Sequence, residues 1–218
     1  MTAVLFDFDG TLLDSNRLLV DALHQVGDRF EIPLTQTEEE IRQGFGVSPL
    51  GHVKMVFPGH PEDLYPQLAT AYGEEFDKNK QKIDDKIPLF PGVIDLMKDL
   101  EQKTRLGIVT SMPRRYLLDI LTAHGIKDMF LTLQTPDDGP SKPSPAPVIN
   151  AMLAVGADPH ETVMIGDTIY DIESGNGAGA TTIAVHWGHH SPEKLATSNP
   201  THTVDTMAAL DKILVDLI

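Results

Sequence analysis

Short apolar runs alternate along this chain with longer stretches of helical periodicity. Thr2 to Phe6 is apolar and β-capable, and it stops abruptly at Asp7-Phe8-Asp9-Gly10-Thr11, as a buried strand does at a turn. Similar runs recur at Leu106–Val109, Met129–Leu133, Val163–Ile165 and Thr181–Val185. Helical patterns separate them: Val93 to Leu100 after Pro91-Gly92, Arg114 to Ala123 before Gly125, and Ala146 to Val155 before Gly156. Strand alternating with helix predicts an α/β fold built on a doubly wound parallel sheet covered on both faces. His202-Thr203-Val204 predicts a last short strand, and Met207 to Leu217 a closing helix.

The stretch from about Ser15 to Lys86 breaks that rhythm. It has no convincing strand and carries helical patterns around Leu18–Phe30, Glu38–Phe45 and Leu64–Asn79, punctuated by Pro33, Pro58, Gly59 and Pro61. It predicts a small all-helical cap, residues 15–86, inserted after the first strand of a discontinuous core, residues 1–14 and 87–218. The proline-rich run Pro140 to Pro147 is short and leads directly into a helix, so it predicts an ordered loop in which Ser144 caps the helix and Pro145 takes its first position.

Composition narrows the functional classes. In 218 residues, 41% are hydrophobic and 22% charged, ordinary for a soluble globular protein. The formal net charge of −15 argues against nucleic acid as a partner, since that needs clustered Lys and Arg. No apolar run is long enough to cross a bilayer, so no membrane partner is expected. The N-terminal apolar run carries Asp7 and Asp9 without leading basic residues; it does not read as a secretory leader, and a cytoplasmic location is expected. The absence of cysteine excludes disulfides, thiol catalysis and thiolate-bound zinc.

The candidate chemistry lies in carboxylates at strand ends. Asp7 and Asp9 sit two apart at the end of an extended run, so alternation points both to one side. Ends of parallel strands are where open α/β sheets place ligands. Gly166-Asp167-Thr168-Ile169-Tyr170-Asp171 repeats the plan, and Asp167 and Asp171 share a face if a helix starts at once. One acid at a helix start only complements the dipole; two acidic strand ends point further. Converging carboxylates repel unless a cation neutralises them, and hard oxygen donors without Cys or His at ligand spacing favour Mg²⁺ over zinc. Lys142, in the proline-rich loop, can steady those acids and a phosphoryl group. Thr110 and Ser111, after the run ending at Val109, offer hydroxyl donors to phosphoryl oxygens, or a cap for the helix near Pro113.

At these four places the chain resembles the haloacid dehalogenase superfamily: Asp7-Phe-Asp-Gly-Thr-Leu12, Val109-Thr110-Ser111, Lys142-Pro143 and Gly166-Asp167-Thr-Ile-Tyr-Asp171. The run Asp14-Ser15, the segment Ala184-Val-His-Trp-Gly188 and the helical insert are similar to its phosphoglycolate phosphatase branch. The resemblance implies a phosphatase acting on a small phosphorylated metabolite, with 2-phosphoglycolate the leading candidate. It implies Asp7 as nucleophile, Asp9 as acid and base, and Thr110, Ser111 and Lys142 on the phosphoryl oxygens. It also implies Mg²⁺ held by Asp7, the Asp9 carbonyl and Asp167, with Asp171 in support. Ser111 departs from the Asn common among relatives.

Asp9 favours phosphoryl transfer over dehalogenation. A sugar-phosphate mutase of the β-phosphoglucomutase type, a pyrophosphatase and a phosphonate-cleaving enzyme stay open, the last needing a cap lysine such as Lys54, Lys78, Lys80 or Lys82. A non-catalytic phospho-ligand binder on the same fold is the alternative from another class. Arg17, Arg42, His52 and Lys54 of the cap, with Arg114 and Arg115 just past the second motif, are candidate partners for a substrate carboxylate or phosphate but are read first as surface groups; His186, Trp187, His189 and His190 have a spacing that suits no standard zinc site and are read as a partly buried Trp among surface histidines. The oligomeric state is open between monomer and homodimer.

Overall fold

The computed structural model describes residues 2–82 and 86–218. Among them, six parallel strands form one sheet in the order β3-β2-β1-β4-β5-β6, with β1 Ala3–Phe6, β2 Arg105–Val109, β3 Phe130–Gln134, β4 Thr162–Gly166, β5 Thr181–Val185 and β6 His202–Val204. All four residues of β1 are buried, as they must be in a strand covered on both faces. Alternation divides its side chains: Val4 and Phe6 join the larger core cluster, together with Val163 and Ile165 of β4. Leu5 faces the other way, with Met164 and Val109.

Helices α5 (Val93–Glu101), α6 (Arg114–Ala123) and α10 (Met207–Leu217) bury their apolar stripes in the first cluster. Helices α7 (Ala146–Val155) and α8 (Ile169–Ala178) cover the opposite face through Val148, Ala151, Met152 and Ala178. Ala146 is the first helical residue of α7 and Pro145 its cap; Ser144 Oγ accepts from the Ala146 N–H at 3.3 Å, so the start lies one residue later than the local sequence predicts. Because β1 is central and the chain builds β2 and β3 on one side before crossing to β4 on the other, the switch point falls at the C-terminal end of β1, where such sheets open a crevice.

Residues 16–81 carry α1 (Asn16–Phe30), α2 (Glu38–Arg42), α3 (Pro49–Val56) and α4 (Tyr65–Gln81). Helix α4 packs along α1 and α3. The helix expected over Glu38–Phe45 is shorter, because the chain turns at Gly44 to Gly46, where Gly46 has φ +96°. The unexpected α3 follows, capped by Ser48 Oγ, which accepts from the Gly51 N–H at 3.2 Å, with Pro49 at its first position. The two chain crossings lie side by side: the Asp14 N–H donates to the Pro88 carbonyl at 2.8 Å and the Phe90 N–H to the Leu12 carbonyl at 2.9 Å.

Leu5 is fully buried beneath the crevice. The Leu5→Ala substitution is expected to cost about 2–5 kcal/mol, the range for a truncated core leucine, as a lowered urea midpoint with an unchanged slope.

Candidate active site

Asp7 continues β1 past its last paired residue; its N–H donates to the Ile165 carbonyl of β4 at 2.8 Å, which fixes the side chain over the gap between the strands. Gly10 then turns the chain at φ +80°, and a Cβ there would strike the Asp167 carboxylate. Asp167 follows β4 directly. Asp171 lies in the first turn of α8, and its carboxylate accepts from the Thr168 N–H at 2.9 Å and Thr168 Oγ1 at 2.7 Å. The expectation that Asp167 and Asp171 share a helical face is corrected: α8 begins at Ile169, so Asp167 precedes the helix. The turn, closed by the Thr168–Asp171 capping box, brings the two acids together instead.

Asp7, Asp167 and Asp171 are all buried, and each offers an oxygen within 4.8 Å of the others. Lys142 lies beneath them. Its Nζ donates to Asp7 at 2.8 Å, to Asp171 at 2.5 Å and to the Val109 carbonyl at 3.0 Å. Thr11 Oγ1 and the His189 N–H each donate to Asp167 at 2.7 Å. Asp9 is held separately, by Ser15 Oγ at 2.5 Å. Thr110 Oγ1 accepts from the Met112 N–H at 3.1 Å, which leaves its own proton free to donate. Ser111 Oγ donates to the Gly46 carbonyl at 2.8 Å, tying the end of β2 to the helical insert.

The electrostatics fit a hard divalent cation at this cluster. Three carboxylates face one ammonium. Burial, and then the Asp171 charge, push the Asp7 carboxyl up to about 7 although Lys142 pulls it down. Burial and the charges of Asp7 and Asp171 push Asp167 well above the carboxylate range, against the two groups that donate to it. Burial alone would lower the Lys142 ammonium, but Asp171 and Asp7 outweigh it and hold its pKa above the ordinary lysine value. Burial raises Asp9 to about 6 despite its bond from Ser15 and the charge of Lys142. Unneutralised negative charge, an all-oxygen donor set and two glycines at the carboxylates suit Mg²⁺. The second glycine is Gly188, whose Cβ would also collide with Asp167.

The segment after β5 corrects the expectation of surface histidines. His189 and His190 are each 2% exposed. His189 Nδ1 donates to Asn16 Oδ1 at 2.6 Å, and its ring lies 4.5 Å from that of Phe45. Its Nε2 is buried beside Gly10 with no hydrogen-bond partner among the described residues. His190 Nδ1 accepts from the Ile169 N–H at 3.1 Å, and its Nε2 donates to the Gln43 carbonyl at 3.0 Å. Burial and the nearby Lys194 lower its pKa to about 4, so it stays neutral. Arg42 is not a free surface charge either: its Nη2 donates to the Gly188 carbonyl at 2.7 Å. His52 is likewise buried and accordingly lowered to about 4. Arg17, by contrast, is exposed.

A cavity of about 530 Å³ opens from Asp7, Asp9, Thr110 and Ser111 toward α3 and α4. Thr11, Ser15, Thr168 and Gly188 were not singled out for the site from sequence. Thr168 carried a legible signal, the Thr-x-x-Asp spacing of a capping box; Thr11 and Gly188 act through tertiary contacts that leave no local pattern.

Residues 4–185 match the family model described as haloacid dehalogenase-like hydrolase. The chain is 32% identical over 212 residues to the pyrophosphatase PpaX of Bacillus pumilus, covering 96% of this chain and 94% of the relative. It is 31% identical over 218 residues to a phosphoglycolate phosphatase of Nitrosococcus oceani, covering 97% and 95%. The solved structure of a haloacid dehalogenase-like family hydrolase from Streptococcus pneumoniae superposes with a TM-score of 0.85 over 98% of each chain at 21% identity, a likeness of fold.

The Lys142→Met substitution leaves the buried carboxylates facing one another without a cation. It is expected to cost about 3–5 kcal/mol, as the loss of one partner from a buried ion cluster does, measured by urea unfolding in EDTA.

Proposed function

The chain belongs to the haloacid dehalogenase-like hydrolases, and on that premise we propose that it is a phosphatase that removes the phosphoryl group of a small phosphorylated metabolite through an aspartyl-phosphate at Asp7. The single observation that carries this reading is the meeting of Asp7, Asp167, Asp171 and Lys142, from three separate stretches of chain, in one buried cluster at the mouth of a cavity.

In this reading an Asp7 carboxylate oxygen attacks phosphorus, a P–O bond forms to Asp7, and the bond to the leaving alkoxide breaks. Asp9, raised to about 6 by burial, gives its proton to that alkoxide. It then takes a proton from the water that attacks the aspartyl-phosphate, releasing inorganic phosphate and restoring Asp7. Lys142 opposes the upward push of burial on the Asp7 carboxyl and fixes its direction. Thr110, with its proton uncommitted, donates to a transferring oxygen. The Ser111 hydroxyl donates to the Gly46 carbonyl in this structure, and it would have to turn from there to reach a phosphoryl oxygen.

Asp7, the Asp9 main-chain carbonyl and Asp167 would hold Mg²⁺, with Asp171 in support. Bound there, the ion supplies positive charge that offsets repulsion between the nucleophile and the phosphoryl oxygens. Residues 15–86 serve as a cap over a core made of 1–14 and 87–218. The cap excludes bulk water and presents the wall that the leaving group meets. The two relatives differ by name in the leaving group, glycolate in one and phosphate in the other; the phosphoryl end is common to both, and that shared chemistry is what the Asp7 cluster supports.

The Asp7→Asn variant is expected to keep the fold, by an unchanged far-ultraviolet spectrum, and to lose phosphatase turnover by at least 1000-fold (~4 kcal/mol or more). Wild-type rates in that variant would remove Asp7 as nucleophile. Chelation by EDTA is expected to stop turnover, and Mg²⁺ both to restore it and to raise Tm through binding to the folded state. Turnover that persists in chelator would refute the metal assignment.

A further inference from the structure

The cavity beside Asp7 is large, and its walls are mostly apolar. Its 530 Å³ falls within the range of sites that hold drug-sized ligands and would take about 18 waters at ~30 Å³ each. A glycolate moiety would leave most of it empty. Aromatic side chains line it in two groups. Phe76 and Tyr116 meet edge to face with centroids 5.4 Å apart, Phe45 lies 4.6 Å from the His52 ring, and His52 lies 5.9 Å from Tyr72. Such walls favour flat rings, which gain from edge and face contacts beyond simple area burial.

Charge gives the same answer. Among the described residues lining the cavity, Arg115 is the one lysine or arginine. Its side chain is 69% exposed. It donates to the Tyr116 hydroxyl at 2.5 Å, lies 4.0 Å from Asp77, and stacks 4.2 Å from the Tyr116 ring centroid. Glu74, also on the wall, accepts from Arg29. Lys142 is committed to Asp7 and Asp171. His52 is buried and held neutral by that burial. A carboxylate or second phosphate on the leaving group would therefore find no uncommitted buried cation in the cavity, and burying such a charge unpaired is unfavourable.

Building on the phosphatase reading, we propose that the preferred substrate is the phosphate monoester of a bulky, uncharged alcohol carrying an aromatic ring, with that ring seated against Phe76, Tyr72 and Tyr116. Water supplies the oxygen that ends on phosphate and the proton that ends on the alcohol, so the products are the neutral alcohol and inorganic phosphate.

The test compares kcat/KM of the full-length protein with Mg²⁺ for five probes. Thymidine 5′-monophosphate and pyridoxine 5′-phosphate represent the two sources of an aromatic alcohol, a ring carried on a sugar and a ring joined through one methylene. 2-Phosphoglycolate and pyrophosphate carry charged leaving groups. Acetyl phosphate, activated and too small to fill the cavity, reports the chemistry alone. At least one aromatic ester is expected to exceed both charged substrates by tenfold or more. Turnover of acetyl phosphate with 2-phosphoglycolate or pyrophosphate equal to or better than both aromatic esters would overturn this inference and leave the phosphatase reading standing; no turnover of any probe would overturn both. The Val47→Lys variant, which adds a cation to the cavity wall, is expected to raise the ratio of 2-phosphoglycolate to aromatic-ester turnover at least tenfold. An unchanged ratio would remove the charge argument.

Discussion

Three acids in one water-poor pocket repel one another, and the centre of this molecule is organised around that repulsion. At separations within 4.8 Å, two full charges repel by about 3–4 kcal/mol at an effective dielectric of ~20. The fold answers in layers. Lys142 contributes one positive charge from below. Thr11, Thr168 and the N–H groups of Thr168 and His189 supply dipoles. What these leave uncompensated shows in the raised pKa values of Asp7 and Asp167, and a divalent cation is the natural complement. A site that stays under-neutralised without its ion binds that ion and an anionic phosphoryl group as a set, each making the other's burial less costly.

The same centre holds the helical insert in place. Asn16, Arg42, Gln43, Phe45 and Gly46 all reach core residues that lie next to the acids: His189, Gly188, His190 and Ser111. A second set of insert–core contacts joins α4 to α6, through Phe76 and Asp77 on one side and Arg115 and Tyr116 on the other. Gly188 is the pivot, since its carbonyl receives Arg42 while its lack of a side chain lets the loop lie against Asp167. Movement of the insert would be felt at once by the groups that orient Asp167.

Much of this arrangement was legible in the sequence because it is local. The apolar runs gave five of the six strands to within a residue at their paired ends, and the sixth, β6, with the same limits; each run is short, bounded and buried on both faces. The acids at strand ends could be read because alternation and chain reversal place them. The rest is tertiary. His189 and His190 look like surface residues in a Gly-rich stretch, and only contacts with Asn16 and Gln43, more than a hundred positions away, bury them. Helix α3 was hidden because its apolar pattern is weak, although Ser48-Pro49 carries an ordinary start signal. The face shared by Asp167 and Asp171 came out differently because the residues between them close a cap before the helix begins.

The position of β1 in the sheet also bears on how the chain reaches its native form. The central strand comes before both of its partners in the chain: β2 lies about a hundred residues on, and β4 still further. Pairing at the heart of the sheet must wait for large loops to close, a slow entropic step in any parallel architecture. Until then an uninterrupted apolar tetrapeptide waits unpaired, while the helices that follow it can form from neighbouring contacts alone. Aspartates at its end give the nascent strand a charged stop that discourages association with other chains, so the residues that serve the chemistry of the finished protein also guard its assembly.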